Sequence, residues 1–316
     1  MMDTTNSALL IRSELWSNEL KEVLQDELQG MGYVRFLSEF PDGTTFTIPS
    51  IGEGTVRDYV ENQPIVYDAL DTGEFQLTIT EYLSSGNYIT KKARQDSFYS
   101  AELEASFVPK QSRALAEKLE SDIMALGAGG ASGGQTADDA NVINGADHRF
   151  VATGTNEVMA IADYAKALHS LKKANVPDQA LIGIVDPSVE FELNTSTNIV
   201  NVSNNPRFEG IINTGIASGM RFVKNVFGFD LFTSNYLATA NETIVLTTAS
   251  GKANMFFSAA DQRNLPFIGA WRQMPEVDAE YNKDFQREEY ATTARYGLKV
   301  YRPENLVVIL SDDDQV

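Results

Sequence analysis

Residues 96–126 read DSFYSAELEASFVPKQSRALAEKLESDIMAL. Apolar side chains recur there at helical spacing, at Tyr99, Leu103 and Phe107 and then at Leu115, Leu119, Ile123 and Leu126. Pro109 divides the run. Proline fits the first turn of a helix and disrupts an interior, so two helices are predicted, the second starting near Pro109. Gly127 supplies a C-terminal stop. The second helix has a narrow apolar stripe among charged residues. That pattern predicts a helix lying across a sheet, with its other side toward solvent or a partner. Taken alone, the stretch is an ordinary core helix; the segments on either side make it specific.

Immediately before it, residues 44–92 change character. Thr44-Thr45-Phe46-Thr47-Ile48-Pro49 alternates as a strand and stops at proline, and Glu74-Phe75-Gln76-Leu77-Thr78-Ile79-Thr80 is a second strand. Gly52, Gly54, Pro64 and Gly73 lie between or beside them. A two-stranded excursion of this kind buries little by itself. Its charge is lopsided, with Glu53, Asp58, Glu61, Asp68, Asp71, Glu74 and Glu81 set against Arg57. Such a finger makes most sense lying on another subunit.

Immediately after it comes GAGGASGG at 127–134, a flexible loop by composition. It follows a helix where nucleotide-binding loops follow a strand. Ser132 stands where the third glycine of GxGxxG belongs, and no Gly-Lys-Ser/Thr follows. Nucleotide binding is rejected here.

Further out, residues 156–174 predict a helix with Val158, Ile161, Ala165 and Leu168 buried. Glu157 stands at its positive end, Lys166, Lys172 and Lys173 lie toward its negative end, and Pro177 closes it. Leu181-Ile182-Gly183-Ile184-Val185 predicts a buried strand, and Asp186-Pro187-Ser188 opens a short helix. Residues 221–233 hold a turn at Gly228 between apolar segments, and Thr243-Ile244-Val245-Leu246-Thr247 reads as a strand. The last third is strand-rich and ends in the continuous apolar run 306–310 and a solvated acidic tail. Residues 7–29 predict an amphipathic helix with Trp16, Leu20, Leu24 and Leu28 on one face, ended by Gly30 and Gly32.

The chain has 316 residues, enough for two sub-domains or one elaborated domain. It has no cysteine, which excludes disulfides, thiolate metal sites and a Cys nucleophile. Asp3, Arg12 and Glu14 interrupt any signal-like apolar run, and nowhere do about 18 apolar residues run together as a membrane span requires. The net charge is −19. A DNA reader needs a basic stripe, and the densest cluster here is Lys91, Lys92 and Arg94. An acidic protein can still enclose DNA without gripping it, and one sign of charge favours solubility at high concentration.

Candidate chemistry is thin. Glu276, Asp278 and Glu280 have period two, so they share one face of a strand, and a solvated face is the simpler reading than acid/base or metal work. His148 and His169 are the only histidines, too few for a metal site. No serine sits in GxSxG. No cofactor is implied, and no catalytic residue is assigned.

The order of segments resembles a major capsid protein of a tailed bacteriophage with the α+β HK97-type fold. Thr45-Phe46-Thr47-Ile48-Pro49-Ser50-Ile51-Gly52 resembles the start of that family's extended loop, which returns near Tyr88-Ile89-Thr90-Lys91-Lys92 into the spine helix. Ala174-Asn175-Val176-Pro177, followed by LIGIVDPSVEFEL, resembles the opening of the axial domain. Phe227-Gly228-Phe229-Asp230-Leu231-Phe232-Thr233-Ser234-Asn235 is similar to a strand pair late in that domain. Tyr296-Gly297 and Tyr301-Arg302-Pro303-Glu304-Asn305-Leu306-Val307-Val308 resemble the closing peripheral strands.

The resemblance implies a division into an N-terminal arm (1–40), an extended loop (41–95), a peripheral domain with the spine helix (96–155), an axial domain (156–262) and closing peripheral strands (263–316). It implies a structural subunit, not an enzyme, whose hexamers and pentamers tile an icosahedral shell around double-stranded DNA, assembled in the host cytoplasm and retained in the virion. Expected partners are further copies of itself, a separate scaffolding protein (Met1 stands just ahead of the arm), a portal protein and a decoration protein, with no membrane. An encapsulin nanocompartment shares the fold and is the second reading; an acidic enzyme with an unrecognised site is the third. Ring contacts of this kind are heterologous and close by rotation. The expected intersubunit residues are Phe46, Ile48, Arg57, Asp58, Glu61, Asp71 and Glu74 on the finger. They would face Lys110, Arg113 and Lys118 on the central helix, or Arg263, Arg272 and Arg287.

Overall fold

A computed structural model describes residues 28, 30–37, 43, 45–51, 56–58, 61–64, 72–96, 100–195 and 222–312, with the backbone alone at 51, 72, 100–108, 194–195 and 222–224. The expected helix 7–29 falls outside them except for Leu28 and Leu28's neighbourhood at Gly30, as does Asp71.

The chain enters through a 3-10 turn at Gly30–Tyr33 and runs into β1 (Val34–Leu37). The finger is β2 (Thr45–Ile51) and β3 (Thr72–Thr78), antiparallel, with Thr45 opposite Thr78 and Ile51 opposite Thr72. Next come β4 (Glu81–Thr90), a short α1 (Lys91–Asp96) and α2 (Ser100–Ala125). The expected break at Pro109 does not occur: α2 is one helix of 26 residues with Pro109 inside it. An interior proline costs about 3 kcal/mol. The turns beyond it bury Leu115, Leu119 and Ile123, each about 1.5–3 kcal/mol, which outweighs that cost.

Beyond a glycine-rich turn lie β5 (Val142–Ile143), β6 (Ala146–Asp147), β7 (Arg149–Val151), α3 (Ile161–Lys173), β8 (Leu181–Val185) and α4 (Pro187–Thr195). The strand at 181–185 and the helix opening at Pro187 are where the sequence places them. The buried face of α3 is met in part: Tyr164, Ala167 and Leu171 are buried, Ile161 and Leu168 are partly buried against the same core, and Ala165 is exposed. The helix begins at Ile161, so Val158 and Glu157 precede it. Asp163 takes the acidic first-turn place, accepting from the backbone N–H groups of Ala160 at 2.8 Å and Thr153 at 3.0 Å.

Then β9 (Phe222–Val226) and β10 (Phe229–Thr233) turn at Phe227-Gly228, as expected. They are followed by β11 (Thr239–Ile244), β12 (Thr247–Ser258), β13 (Phe267–Asn282), β14 (Arg287–Val300) and β15 (Val307–Ser311). The strand expected over 243–247 is instead a hairpin turn. Ile244 pairs with Thr247, leaving Val245 and Leu246 as a two-residue connection. A β-branched apolar run mimics a buried strand, and local composition does not reveal the reversal.

Two sheets carry the molecule. One has the order β1-β13-β14-β4 and lies under α2; the other runs β7-β15-β12-β8-β10-β9, with β11 also on β12. The second sheet is a wall between two cores. On β15, Val308 and Leu310 face the core shared with α2 (Leu119, Ile123, Met124), whereas Val307 and Ile309 face the core under α3. On β12, Met255 and Phe257 go one way and Phe256 the other. Burial on both faces explains why these strands read as continuous apolar runs, not as alternating ones. Tyr164 of α3 meets Phe256 edge-on at 5.7 Å.

Candidate assembly surface

Among the described residues the finger is anchored at its base. Leu77 is fully buried against Ile268 and Ala270, with Ile48, Phe75, Leu37 and Tyr301 packed around them. Phe75 and Tyr301 meet edge-on at 5.0 Å. Lys299 reaches across from β14, its Nζ 4.8 Å from the Phe75 ring centre and donating to the Gln76 carbonyl at 2.8 Å. The finger therefore holds a small core with its own subunit, more than the sequence promised. Further out, Val56 is 99% exposed and Arg57, Asp58 and Glu61 are exposed beside it. Glu74 is exposed and accepts from Gln76 Nε2 at 2.9 Å; Phe46 is partly buried.

The basic residues expected opposite the finger are distributed over this subunit. Lys110, Arg113 and Lys118 all lie on α2, Arg263 lies in a 3-10 turn, and Arg272 and Arg287 lie on β13 and β14. Several are already engaged within the chain. Arg113 pairs with Glu117 at 2.8 Å and Lys118 with Asp122, both one helical turn away. Arg287 pairs with Glu289 at 2.5 Å and stacks over Tyr88 and Phe285, at 4.5 and 4.7 Å from their ring centres. That pairing holds the Glu289 carboxyl below the usual carboxylate range. Among the described residues Lys110 has no ion-pair partner, and Lys110 and Arg263 are exposed. The long β13–β14 hairpin exposes Glu276, Asp278 and Glu280 along a solvated strand.

One network was not visible in the sequence. Arg149, on β7, is wholly buried and lies against Glu242 of β11, which is also buried. Its Nε donates to Glu242 Oε2 at 3.0 Å and its Nη2 to Oε1, while Nη1 donates to the Gly127 carbonyl at 2.8 Å and Gln135 Oε1 at 3.2 Å. Glu242 also accepts from the Gly129 N–H at 2.7 Å. The glycine-rich loop is thus a latch on the protein's own carboxylate, and a backbone donor that a phosphate would need is occupied. Gly133 closes it with φ +77°; a Cβ there would stand 2.2 Å from the Leu298 carbonyl oxygen.

His148 is buried, with Nδ1 3.1 Å from the Ala146 carbonyl, and burial pushes its pKa down. His169 is exposed. Among the described residues no three His, Cys, Asp or Glu side chains converge as a metal set, and no helix is long and apolar enough to cross a membrane.

Residues 74–309 match the family described as phage capsid protein. No curated protein matches the sequence. Among solved structures the chain is similar to one from Mycobacterium phage Che8, at 20% identity and TM-score 0.67, covering 94% of this chain and 96% of that one. It is similar to the capsid of cyanophage P-SCSP1u at 14% identity and TM-score 0.69, covering 98% and 95%. It is also similar to the cyanophage Pam1 capsid asymmetric unit at 14% identity and TM-score 0.68, covering all of both chains. At such identities the likeness is one of fold, the α+β HK97-like fold. The family match covers most of the sequence, and it establishes that this chain belongs to the phage capsid protein family, the shell-building subunits of virions.

Proposed function

We propose that copies of this chain close into hexamers and pentamers that tile an icosahedral shell around double-stranded DNA, with no catalytic role. The observation that carries this reading is the β2–β3 finger, cored at its base and exposed at its described outer residues. Laid over a neighbour's peripheral domain, it would bury that outer part and bring Asp58, Glu61, Asp71 and Glu74 toward Lys110, Arg113, Lys118, Arg263, Arg272 or Arg287 of the neighbour. Phe46, Ile48 and Arg57 would lie along the same contact. The exposed Lys110 and Arg263 are the first choices, because Arg113, Lys118 and Arg287 already hold carboxylates of their own chain. Each such pair is modest, and repetition over a shell makes the sum large.

The domain division inferred from sequence goes with this reading: arm, extended loop, peripheral domain around α2, axial domain around α3 and β8, and closing strands. Assembly takes place in the host cytoplasm with a separate scaffolding protein, and the finished shell meets a portal and a decoration protein. The surplus of acid, −19 overall, lets packaged DNA move without adhering.

The test is electron microscopy and sedimentation of the purified chain, alone and with its scaffolding protein. Rings and closed shells are expected, and deletion of residues 52–71 should leave soluble subunits that form neither. A compact monomer at high concentration that turns over a small molecule would overturn the reading.

A further inference from the structure

On β14, Tyr296, Leu298 and Val300 bury into the core shared with α2. Side chains alternate along a strand, so Gly297 and Lys299 belong to the opposite face, and Tyr301, just past the strand's end, continues their row. Beside this row on β13, Ala270 pairs with Gly297 and Ile268 with Lys299, and it is these two residues that receive Leu77 of the finger. The base of the finger therefore sits on the face of the first sheet turned away from α2.

The three residues of the row meet the finger in three ways. At Gly297 the backbones approach closely: a Cβ there would stand 2.6 Å from the Thr78 carbonyl oxygen and 3.0 Å from the Ile79 Cα, so a larger residue would displace the end of β3. Two residues on, Lys299 Nζ donates to the Gln76 carbonyl at 2.8 Å and lies 4.8 Å from the Phe75 ring centre. Two further, Tyr301 meets Phe75 edge-on at 5.0 Å, and its own N–H is held by the Pro266 carbonyl at 2.8 Å.

Leu77 fixes where the finger attaches, but apolar burial is non-directional and sets no angle. The close approach at Gly297 and the donated bond from Lys299 are directional. From Thr78 to Thr72 the strand extends about 20 Å, so a small tilt at the seat is a large displacement at the far end.

We propose that Gly297 and Lys299, steadied by Tyr301, are positioning residues that set the angle at which the finger leaves its own subunit. Through that angle they set where a neighbouring copy meets it, and hence the curvature of the shell. The second step rests on the shell-building reading; the first does not.

The absence of cysteine makes the test clean. Spin labels on S50C, an exposed position near the far end of β2, and H169C, exposed on α3, report the finger's angle in the full-length dilute subunit by pulsed electron paramagnetic resonance. One narrow distance distribution is expected in the parent. K299M, which keeps the stem and loses the donor, should broaden it, and K299R should restore it. G297A should move its mean by a few ångström. The urea midpoint of K299M should stay near the parent's, because Lys299 holds the finger and not the core. If G297A fails to fold, K299M and K299R decide alone. A broad distribution in the parent, one unchanged in the variants, or a lowered K299M midpoint with unchanged distances would each overturn the proposal. In assembly, K299M should change the diameter of the particles or leave open sheets. Particles identical to the parent's despite a broadened finger would overturn the link to curvature. Absence of particles from the parent itself would count against the shell-building reading and leave the distance result standing.

Discussion

Arg149 and Glu242 stand 93 residues apart in sequence and face each other through two hydrogen bonds in the interior, the guanidinium fully buried. They tie β7 to β11 and, through Gly127, Gly129 and Gln135, fix the loop that ends the spine helix. Two charges removed from water offset their desolvation only while both remain. Glu242→Gln should therefore cost about 3–5 kcal/mol by leaving the guanidinium unpaired. The double replacement R149M/E242L should recover much of that loss. Urea unfolding of the soluble subunit distinguishes the two outcomes, since a double variant as unstable as the single would refute the desolvation argument.

His148 makes stability depend on pH. Burial lowers its folded pKa more than the Ala146 carbonyl raises it. The unfolded chain takes up this proton near pH ~6.5, and the folded chain only at lower pH. Between those values the unfolded state binds more protons, so stability rises with pH there and levels off above the unfolded value. Acidification from neutral pH through about 6.5 should thus lower the unfolding free energy, at up to about 1.4 kcal/mol per pH unit. His148→Asn should lose that part of the slope. A slope unchanged by the substitution would remove His148 from the account.

How much of this was legible in sequence depended on whether the signal was local. The stripe Leu115, Leu119, Ile123 and the run 181–185 are periodic within one element, and both bury as expected. On α3 the expected Ile161 and Leu168 do flank the core, but Ala165 is exposed and Tyr164, Ala167 and Leu171 are the fully buried residues, because both stripes are equally well spaced. Tyr164 meets Phe256 edge-on, a contact that exists only once β12 is in place. Arg149 and Glu242 look like any surface charges until β7 and β11 are brought together. The finger's own small core was missed for the same reason: Leu77 meets Ile268 only after most of the chain has folded. The intersubunit partners of the finger depend on a second chain and rest on the resemblance.

Pro109 is the one place where α2 works against local preference. Proline removes its own N–H from the helical ladder and crowds the carbonyl four residues back. The helix nevertheless runs through it. Pro109→Ala should restore that bond and raise the stability of the isolated subunit by about 1–3 kcal/mol, seen as a higher denaturant midpoint with an unchanged slope. If stability falls instead, the proline is making tertiary contacts whose loss outweighs the repaired ladder.

The β11–β12 turn carries a second local conflict. Ile244 pairs with Thr247, and Val245 sits at φ +59°. With positive φ at the first central residue alone, the connection has the backbone for which hairpins use glycine. A β-branched side chain there is crowded against its own backbone, at a cost of about 1–2 kcal/mol. Neither central side chain recovers that by burial, since Val245 is 71% and Leu246 92% exposed. Val245→Gly should therefore stabilise the soluble subunit by about 1 kcal/mol, somewhat less than the full strain because glycine loses more backbone entropy on folding. Val245→Ala, which keeps a Cβ and so keeps the crowding, should give little gain. Thermal or urea unfolding of the three proteins checks the order. If Val245→Ala stabilises as much as Val245→Gly, the backbone conformation is not the source of the cost.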